Sequence, residues 1–481
     1  MNKLLLFILL ALCLLLLLHR LEDTPPVAHS WLTTGDERYL LEKQSDRLLQ
    51  DKKQHIQTIT IDKQKTYQQM EGFGAAMSGS SAYLLSNKLS GQARDTLFAD
   101  LFTEKGIHLS FLRHTIGASD YSVDADGNSA TYTYADQPGS PEDPLRYFST
   151  VRDQTVINML HKAKQHNPSL QIMGTPWTAP PWLKYGEQTW NGFYLDYTKQ
   201  NTYKIYAEYF VRYLKSYQQK GLPIDYLSVQ NEPLFSTDAY PSMTMSAAEQ
   251  RHFIQNYLGP ALQEAGLDTS VLAYDHNWDK GESYAETVLD AASAYTAGTA
   301  FHCYAGDPET GSDVHQLHPK KGIYFTECSG GAWSKDFGNN LSWLMDKVII
   351  GATRNWSKTV LMWNLALDEK NGPTNGGCSN CRGVITVNSQ TGAITKNVEY
   401  YALGHLSKFV QPGAIRISST QLPNIHTVAF YDKETEEIIF LAANTSSKKE
   451  KFQLAEEEHY LTYTLPPLSA VTFTWKESGK N

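Results

Sequence analysis

The chain has no excess of positive charge, no clustered metal ligands, few cysteines and no apolar run of full bilayer length, and each absence removes a class of function. With 42 Lys and Arg against 51 Asp and Glu, the net charge is −9. The two signs are interspersed, so no basic stripe could neutralise a run of phosphates, which excludes a nucleic-acid partner. A neutral substrate suits this balance better than a polyanion. Five Cys cannot build a dense disulfide framework. Cys13 lies in the N-terminal apolar run, and Cys378-Ser379-Asn380-Cys381 is a solitary CxxC without a second CxxC or an HxxxH. Zinc is therefore disfavoured, leaving a local disulfide or two free thiols, the first favoured in an oxidising compartment. No internal repeat or low-complexity tract is present beyond the N-terminal run, and no metal or organic cofactor is called for.

What is present is ordinary for a globular fold with a sizeable core: 41% hydrophobic and 19% charged residues in 481. Aromatics reach 12%, with 10 Trp and 28 Tyr, a supply of flat faces suited to sugar C–H surfaces or simply to a large core. Lys3 precedes an uninterrupted apolar run of 15 residues, Leu4 to Leu18, closed by His19 and Arg20. As a helix it would span about 22 Å, short of the roughly 30 Å hydrocarbon core. Residues 3–20 therefore read as an export signal, with Pro26-Val27-Ala28 as a weak cleavage point. The other reading is a retained anchor, which would bring membrane association.

From about residue 70 to 365, short apolar segments alternate with helical ones. The strand candidates are Met70 to Ala75, Leu109 to Thr115, Leu170 to Thr175, Ile224 to Gln230, Val271 to Asp275, Ala300 to Tyr304, Ile323 to Glu327 and Val360 to Leu365. Eight strands alternating with helices such as Asp153 to Gln165 and Tyr203 to Gln219 predict an α/β fold, a (β/α)8 TIM barrel. Beyond Gln411-Pro412-Gly413 the pattern turns β-rich, from His426 to Trp475, and predicts a small side β-sandwich that the alternating segment His55 to Asp62 would join. The expected layout is a signal or anchor over 1–22, a linker or N-terminal extension over 23–54, an N-terminal strand of the β-domain over 55–68, the barrel over 69–411 and the sandwich over 412–481.

Two carboxylates fall at C-terminal strand ends, the catalytic face of this fold: Glu232 in Asn231-Glu232-Pro233 after the fourth strand, and Glu327 in Thr326-Glu327-Cys328 at the end of the seventh. Hydrolysis of a glycoside with retention needs two carboxyl groups about 5 to 5.5 Å apart, one donating a proton and one attacking the anomeric carbon. The proton donor and the nucleophile need opposite charge states, so their surroundings must separate their pKa values.

These two motifs resemble the acid/base and nucleophile motifs of glycoside hydrolase family 30. Gly72-Phe73-Gly74-Ala75-Ala76-Met77, Arg113 with Asp120, Pro176-Trp177-Thr178-Ala179-Pro180-Pro181-Trp182 and Trp363-Asn364-Leu365-Ala366-Leu367 agree with it, over nearly all of the chain after residue 55. The resemblance implies a retaining β-glycosidase with Glu232 as acid/base and Glu327 as nucleophile. Likeness to the glucosylceramidase branch implies that Arg113 braces the nucleophile and that Asp120 and Trp177 hold glucose hydroxyls, while Asn231, beside the acid, is placed to bond the 2-hydroxyl. The likeness also implies that His302 and Tyr304 line the mouth and that Trp363 forms the floor, with Asn364 structural. The chain departs from the animal enzymes at Cys303, where they carry Trp, and at the loop Gly376 to Gly383, as microbial branches do. The leading expectation is a glucosylceramidase-type β-glucosidase acting on glucosylceramide. The alternative is an exported endo-β-1,6-glucanase, and a distant third is a carbohydrate-binding protein without catalysis.

Overall fold

The computed structural model describes residues 26–476; the expected signal or anchor over 1–22 and Cys13 lie outside them. Two compact units result, one spanning Gln68–Pro412 and the other joining the N-terminal part to Gly413 and the residues after it.

The first unit is a closed barrel of eight parallel strands: Gly72–Ala76, Phe111–Thr115, Gln171–Thr175, Tyr226–Ser228, Ser270–Asn277, Gly298–His302, Gly322–Glu327 and Ser357–Met362, with the last pairing back onto the first. Each coincides with one of the expected segments, because a strand covered on both faces must be apolar along its whole length, which leaves a short, readable run. Phe111, Met173, Tyr226, Leu272, Ala300, Tyr324 and Leu361 form one buried cluster of barrel-strand side chains.

Helices Gln154–His166 and Thr202–Gln219 stand where periodicity placed them. The stretch from Ala247 to Ala265 is not one continuous α-helix: Ala247–Phe253 and Gly259–Ala265 are joined by a wide π-turn, Ile254–Leu258. Pro260 supplies no N–H for a regular turn at that point, and the widened turn absorbs the defect.

The second unit is a ten-stranded sheet among the described residues, built from C-terminal strands and from Thr58–Gln69, which runs parallel to Glu450–Glu456. The stretch 23–54 is not a bare linker, because Val27–Thr34 forms a full strand antiparallel to Ser469–Lys476, from His29 opposite Thr474 to Thr34 opposite Ser469. Ala28 and Leu32 enter the buried cluster with Ile59, Phe440, Phe473 and Trp475. The polar Ser30 between Ala28 and Leu32 hides the inward face from a reading by hydropathy alone.

Candidate active site

The carboxylates reach the barrel mouth by different local routes. Glu327 is simply the last residue of the seventh strand, with its side chain projecting from the C-terminal end. Glu232 lies four residues past the fourth strand, which ends at Ser228 rather than at Gln230. Its backbone is left-handed, φ 44°, a costly conformation for a residue with a Cβ. Three contacts pin this turn. Its N–H donates to Asp275 O at 3.0 Å, the preceding Asn231 N–H donates to Pro176 O at 2.8 Å, and Phe235 N–H donates to Glu232 O at 2.9 Å. As a result, an oxygen of Glu232, an oxygen of Glu327 and a ring nitrogen of His302 all lie within 4.8 Å of one another.

Around Glu327, Arg113 donates through Nη1 to Oε2 and Tyr304 donates its hydroxyl to Oε1 at 2.9 Å. The guanidinium is wholly buried, and its Nη2 donates to Asn231 Oδ1 at 2.8 Å and to Asp275 Oδ2 at 3.0 Å. It also lies over Trp177 and Trp363, 5.1 and 5.5 Å from the ring centroids, and these two rings stack on each other at 5.0 Å. A charge this deep is tolerable because two carboxylates and two aromatic faces surround it.

Asp275 is the residue that sequence reasoning missed. It is fully buried and accepts from Arg113, from Ser228 Oγ at 2.5 Å and from Thr326 Oγ1 at 2.6 Å, and lies 3.0 Å from His302 Nε2. Burial would raise its pKa, but Arg113 and the bond from His302 outweigh that and hold it far below the usual carboxylate range. The signal was available: Asp275 ends the expected fifth strand, as Glu327 ends the seventh. Tyr274 and Asp275 both have positive φ, and pairing with the sixth strand shifts register between Ala300 and Phe301. That irregularity turns Asp275 inward and cannot be read from the sequence.

His302 bridges Asp275 and Glu232, with Nδ1 3.1 Å from Glu232 Oε1. Burial alone would lower its pKa, but Glu327, Asp275 and Glu232 raise it to about 9. Burial would raise Glu232, yet the bond and charge of His302 outweigh it and hold the carboxyl below its ordinary value. The sequence argument expects the acid itself to hold the proton. The lowered Glu232 and the raised His302 both favour the proton on the imidazole, one hydrogen bond from Glu232.

All nine expected site residues thus meet at one mouth. Asp120 is buried, and its Oδ1 has no partner among the described residues. Burial, then the charges of Glu327 and Glu232, push its pKa well up. A free acceptor at the cleft floor beside the stacked indoles is suited to a sugar hydroxyl. Asn364 instead accepts from Ser78 Oγ at 2.5 Å and is structural.

The cleft has a volume of about 370 Å³, and its lining adds residues no motif announced: Phe235, Tyr240, His276, Asn277 and Trp333. Cys378 and Cys381 line it too and form a disulfide. A second disulfide, unforeseen, joins Cys303 to Cys328 and ties the residue after His302 to the residue after Glu327. It sits just past the point where pairing of the sixth and seventh strands shifts register to set His302 beside Glu327. Spacing could not have revealed a bond between partners 25 residues apart.

Comparison with known proteins follows the same lines. Residues 70–410 match the glycosyl hydrolase family 30 TIM-barrel domain, and residues 413–473 match that family's β-sandwich domain. An endo-1,6-β-D-glucanase of Aspergillus fumigatus is 37% identical over 374 residues, 73% of this chain and 72% of that one. The lysosomal acid glucosylceramidase of Mus musculus is 27% identical over 445 residues, 87% and 83% of the two chains. A solved structure of an endo-β-1,6-glucanase superposes with a TM-score of 0.85 at 31% identity, covering 94% of this chain and 100% of that one.

Proposed function

The chain belongs to glycoside hydrolase family 30, and from that premise we propose that it is a retaining endo-β-1,6-glucanase that cuts by double displacement. The approach of Glu232 and Glu327 carries this reading: one oxygen of each lies within 4.8 Å of the other, in keeping with the short carboxyl separation of retaining enzymes, about 5 to 5.5 Å, rather than with that of inverting ones, about 6.5 to 9.5 Å.

Glu327 attacks the anomeric carbon while Glu232 protonates the departing glucan oxygen. The glycosyl–Glu327 ester forms as the glycosidic C–O bond breaks. Arg113 and Tyr304 both donate to the attacking carboxylate and hold it in line. The proton that Glu232 delivers is drawn from His302 Nδ1, 3.1 Å away, so the step leaves a neutral imidazole and a Glu232 carboxylate. In the second half, Glu232 takes a proton from water, the resulting hydroxide displaces Glu327, and the sugar leaves with its original anomeric configuration. Asn231, fixed by Arg113, is placed to bond the 2-hydroxyl.

Glucosylceramide, the leading expectation from sequence, gives way here to β-1,6-glucan. Three fungal relatives named endo-1,6-β-D-glucanases are 35 to 37% identical, against 27% for the mouse glucosylceramidase. A nematode protein named putative glucosylceramidase 2 reaches 34%, so identity alone is thin support. The cleft adds to it: the Cys378–Cys381 loop and Trp333 line one wall with compact groups suited to a sugar ring. Export is part of the proposal, supported by the Leu4 to Leu18 run and by two disulfides, which persist in oxidising compartments. Among the described residues no helix is long and apolar enough to cross a membrane.

The test is hydrolysis of linear β-1,6-glucan, with the first-formed anomer followed by proton NMR. Early appearance of the β-anomer supports retention, and early α-anomer ends it. Faster turnover of glucosylceramide in detergent micelles than of the glucan would reverse the substrate assignment.

A further inference from the structure

Inside the cleft the lining residues divide by exposure. Asp120, Trp177 and Trp363 are buried to 9, 3 and 3% exposure and make the floor, whereas Trp333 at 58% and Phe235 at 40% stand at the open end. A leaving group must depart through the open end, so the exposed aromatics face the departing part of the substrate.

Trp333 is exposed without being loose. The loop after the seventh strand pairs with the Cys378–Cys381 loop in a two-stranded ladder, Gly330 opposite Arg382 and Gly331 opposite Cys381, and Ala332 N–H donates to Asn380 O at 2.8 Å. The ladder is anchored from below. Arg382 Nη2 donates to Glu399 Oε1 at 2.6 Å, and Glu399 is buried. The two glycines are required by close approach. A Cβ on Gly330 would sit 1.8 Å from Glu399 Oε1, and one on Gly331 would sit 2.0 Å from the Trp333 ring. The indole therefore lies against bare backbone, held on one side and open to the cleft on the other. Phe235, the other exposed aromatic of the lining, stacks on Tyr240 at 6.3 Å.

We propose that Trp333 is the stacking platform for the sugar ring on the leaving-group side of the cut, and that it selects a saccharide over other leaving groups. The proposal deepens the glucan-hydrolase reading and rests on it. A pyranose presents an apolar C–H face that an indole covers while the hydroxyls at its rim stay wet. An indole already fixed in place gives up little conformational freedom on binding, which is where a preorganised site gains affinity.

The experiment compares two substrates of the full chain: a β-1,6-linked gluco-oligosaccharide, which places a sugar over Trp333, and β-glucosyl fluoride, whose leaving group is a single atom. Trp333→Ala is expected to raise KM for the oligosaccharide about tenfold with kcat within about threefold, and to lower the ratio of the two kcat/KM values by about tenfold. Trp333→Phe should recover most of that ratio. Trp343→Ala, which removes another exposed indole that does not line the cleft, should leave both substrates at wild-type rates. Equal losses on the two substrates from Trp333→Ala, or no loss on the oligosaccharide, would overturn the platform. If the wild type ignores β-1,6 linkages and cuts another β-glucan, the substrate reading fails, and the same ratio measured on that glucan still decides the role of Trp333. Failure to turn over any substrate with a sugar leaving group overturns both.

Discussion

Glu232 and Glu327 carry the same ionisable group, and their neighbours divide the work between them. Arg113 and Tyr304 both donate hydrogen bonds to Glu327, whereas Glu232 faces the imidazole of His302, whose pKa is raised to about 9. Glu327→Gln removes the attacking oxygen and should cut turnover to below about a ten-thousandth on every β-glucoside. Glu232→Gln should cost about 10²- to 10⁴-fold on unactivated glucan, and less where the leaving group departs unaided. Azide should partly restore the latter by replacing the activated water. Intact hydrolysis of unactivated glucan by this variant would remove Glu232 from the acid role. Asp275 acts through His302. Glu327, Asp275 and Glu232 together raise the imidazole to about 9 against the pull of burial, so deleting one carboxylate lets it fall. In Asp275→Asn the proton of the His302–Glu232 pair is lost at lower pH, and the alkaline limb of kcat/KM should move down by about one unit. An unmoved limb accompanied by a lower kcat would reduce Asp275 to a packing role.

Among elements, the helix Gln154–His166 begins beside Asp153, whose position suggests a cap. The side chain makes no capping bond. It instead accepts from Tyr132 at 2.7 Å, from Tyr217 at 2.6 Å and from Tyr134, and so joins the helix start to neighbouring segments in a buried cluster. Burial pushes Asp153 up to about 6, although the three hydroxyls oppose the shift. A folded-state pKa above the unfolded one means that the native protein binds more protons in this window. The contribution is full below pH ~4 and is lost as pH rises through ~6, on the order of 3 kcal/mol. Asp153→Asn should flatten this part of the pH dependence, read as the urea midpoint at pH 4 and pH 7. The same slope in both proteins would assign the dependence elsewhere. Strand and helix periods were legible because each element has one environment along its length. The π-turn before Pro260 and the strand Val27–Thr34 were not, since the first answers to a missing N–H and the second to a partner strand more than 400 residues away.

For the molecule as a whole, a net charge of −9 with interspersed signs provides no attraction for a neutral glucan. Raising salt from about 50 to about 500 mM should therefore change kcat/KM on β-1,6-glucan by less than about twofold. A steep decline would point to a charged substrate instead. Each unit also has its own buried cluster, one of barrel-strand side chains and one in the ten-stranded sheet. A melt followed by two probes, one per unit, is the fitting measurement, because a single two-state transition is not assured for such a chain.

Sequence alone determined the barrel, the β-rich unit and the placing of two glutamates at the C-terminal ends of strands, because each rests on a local pattern: short apolar runs between helical periods, and a carboxylate at the C-terminal end of a run. Only the tertiary structure decided how the groups around those carboxylates connect. Asp275 becomes the hub through a register shift, and His302 holds the proton because three carboxylates converge on it. Cys303 finds Cys328 across adjacent strand ends, and Trp333 is fixed because two loops pair and two glycines let an indole and a buried carboxylate come close. These are relations between residues distant in sequence, and a chain read one segment at a time does not contain the distances that create them.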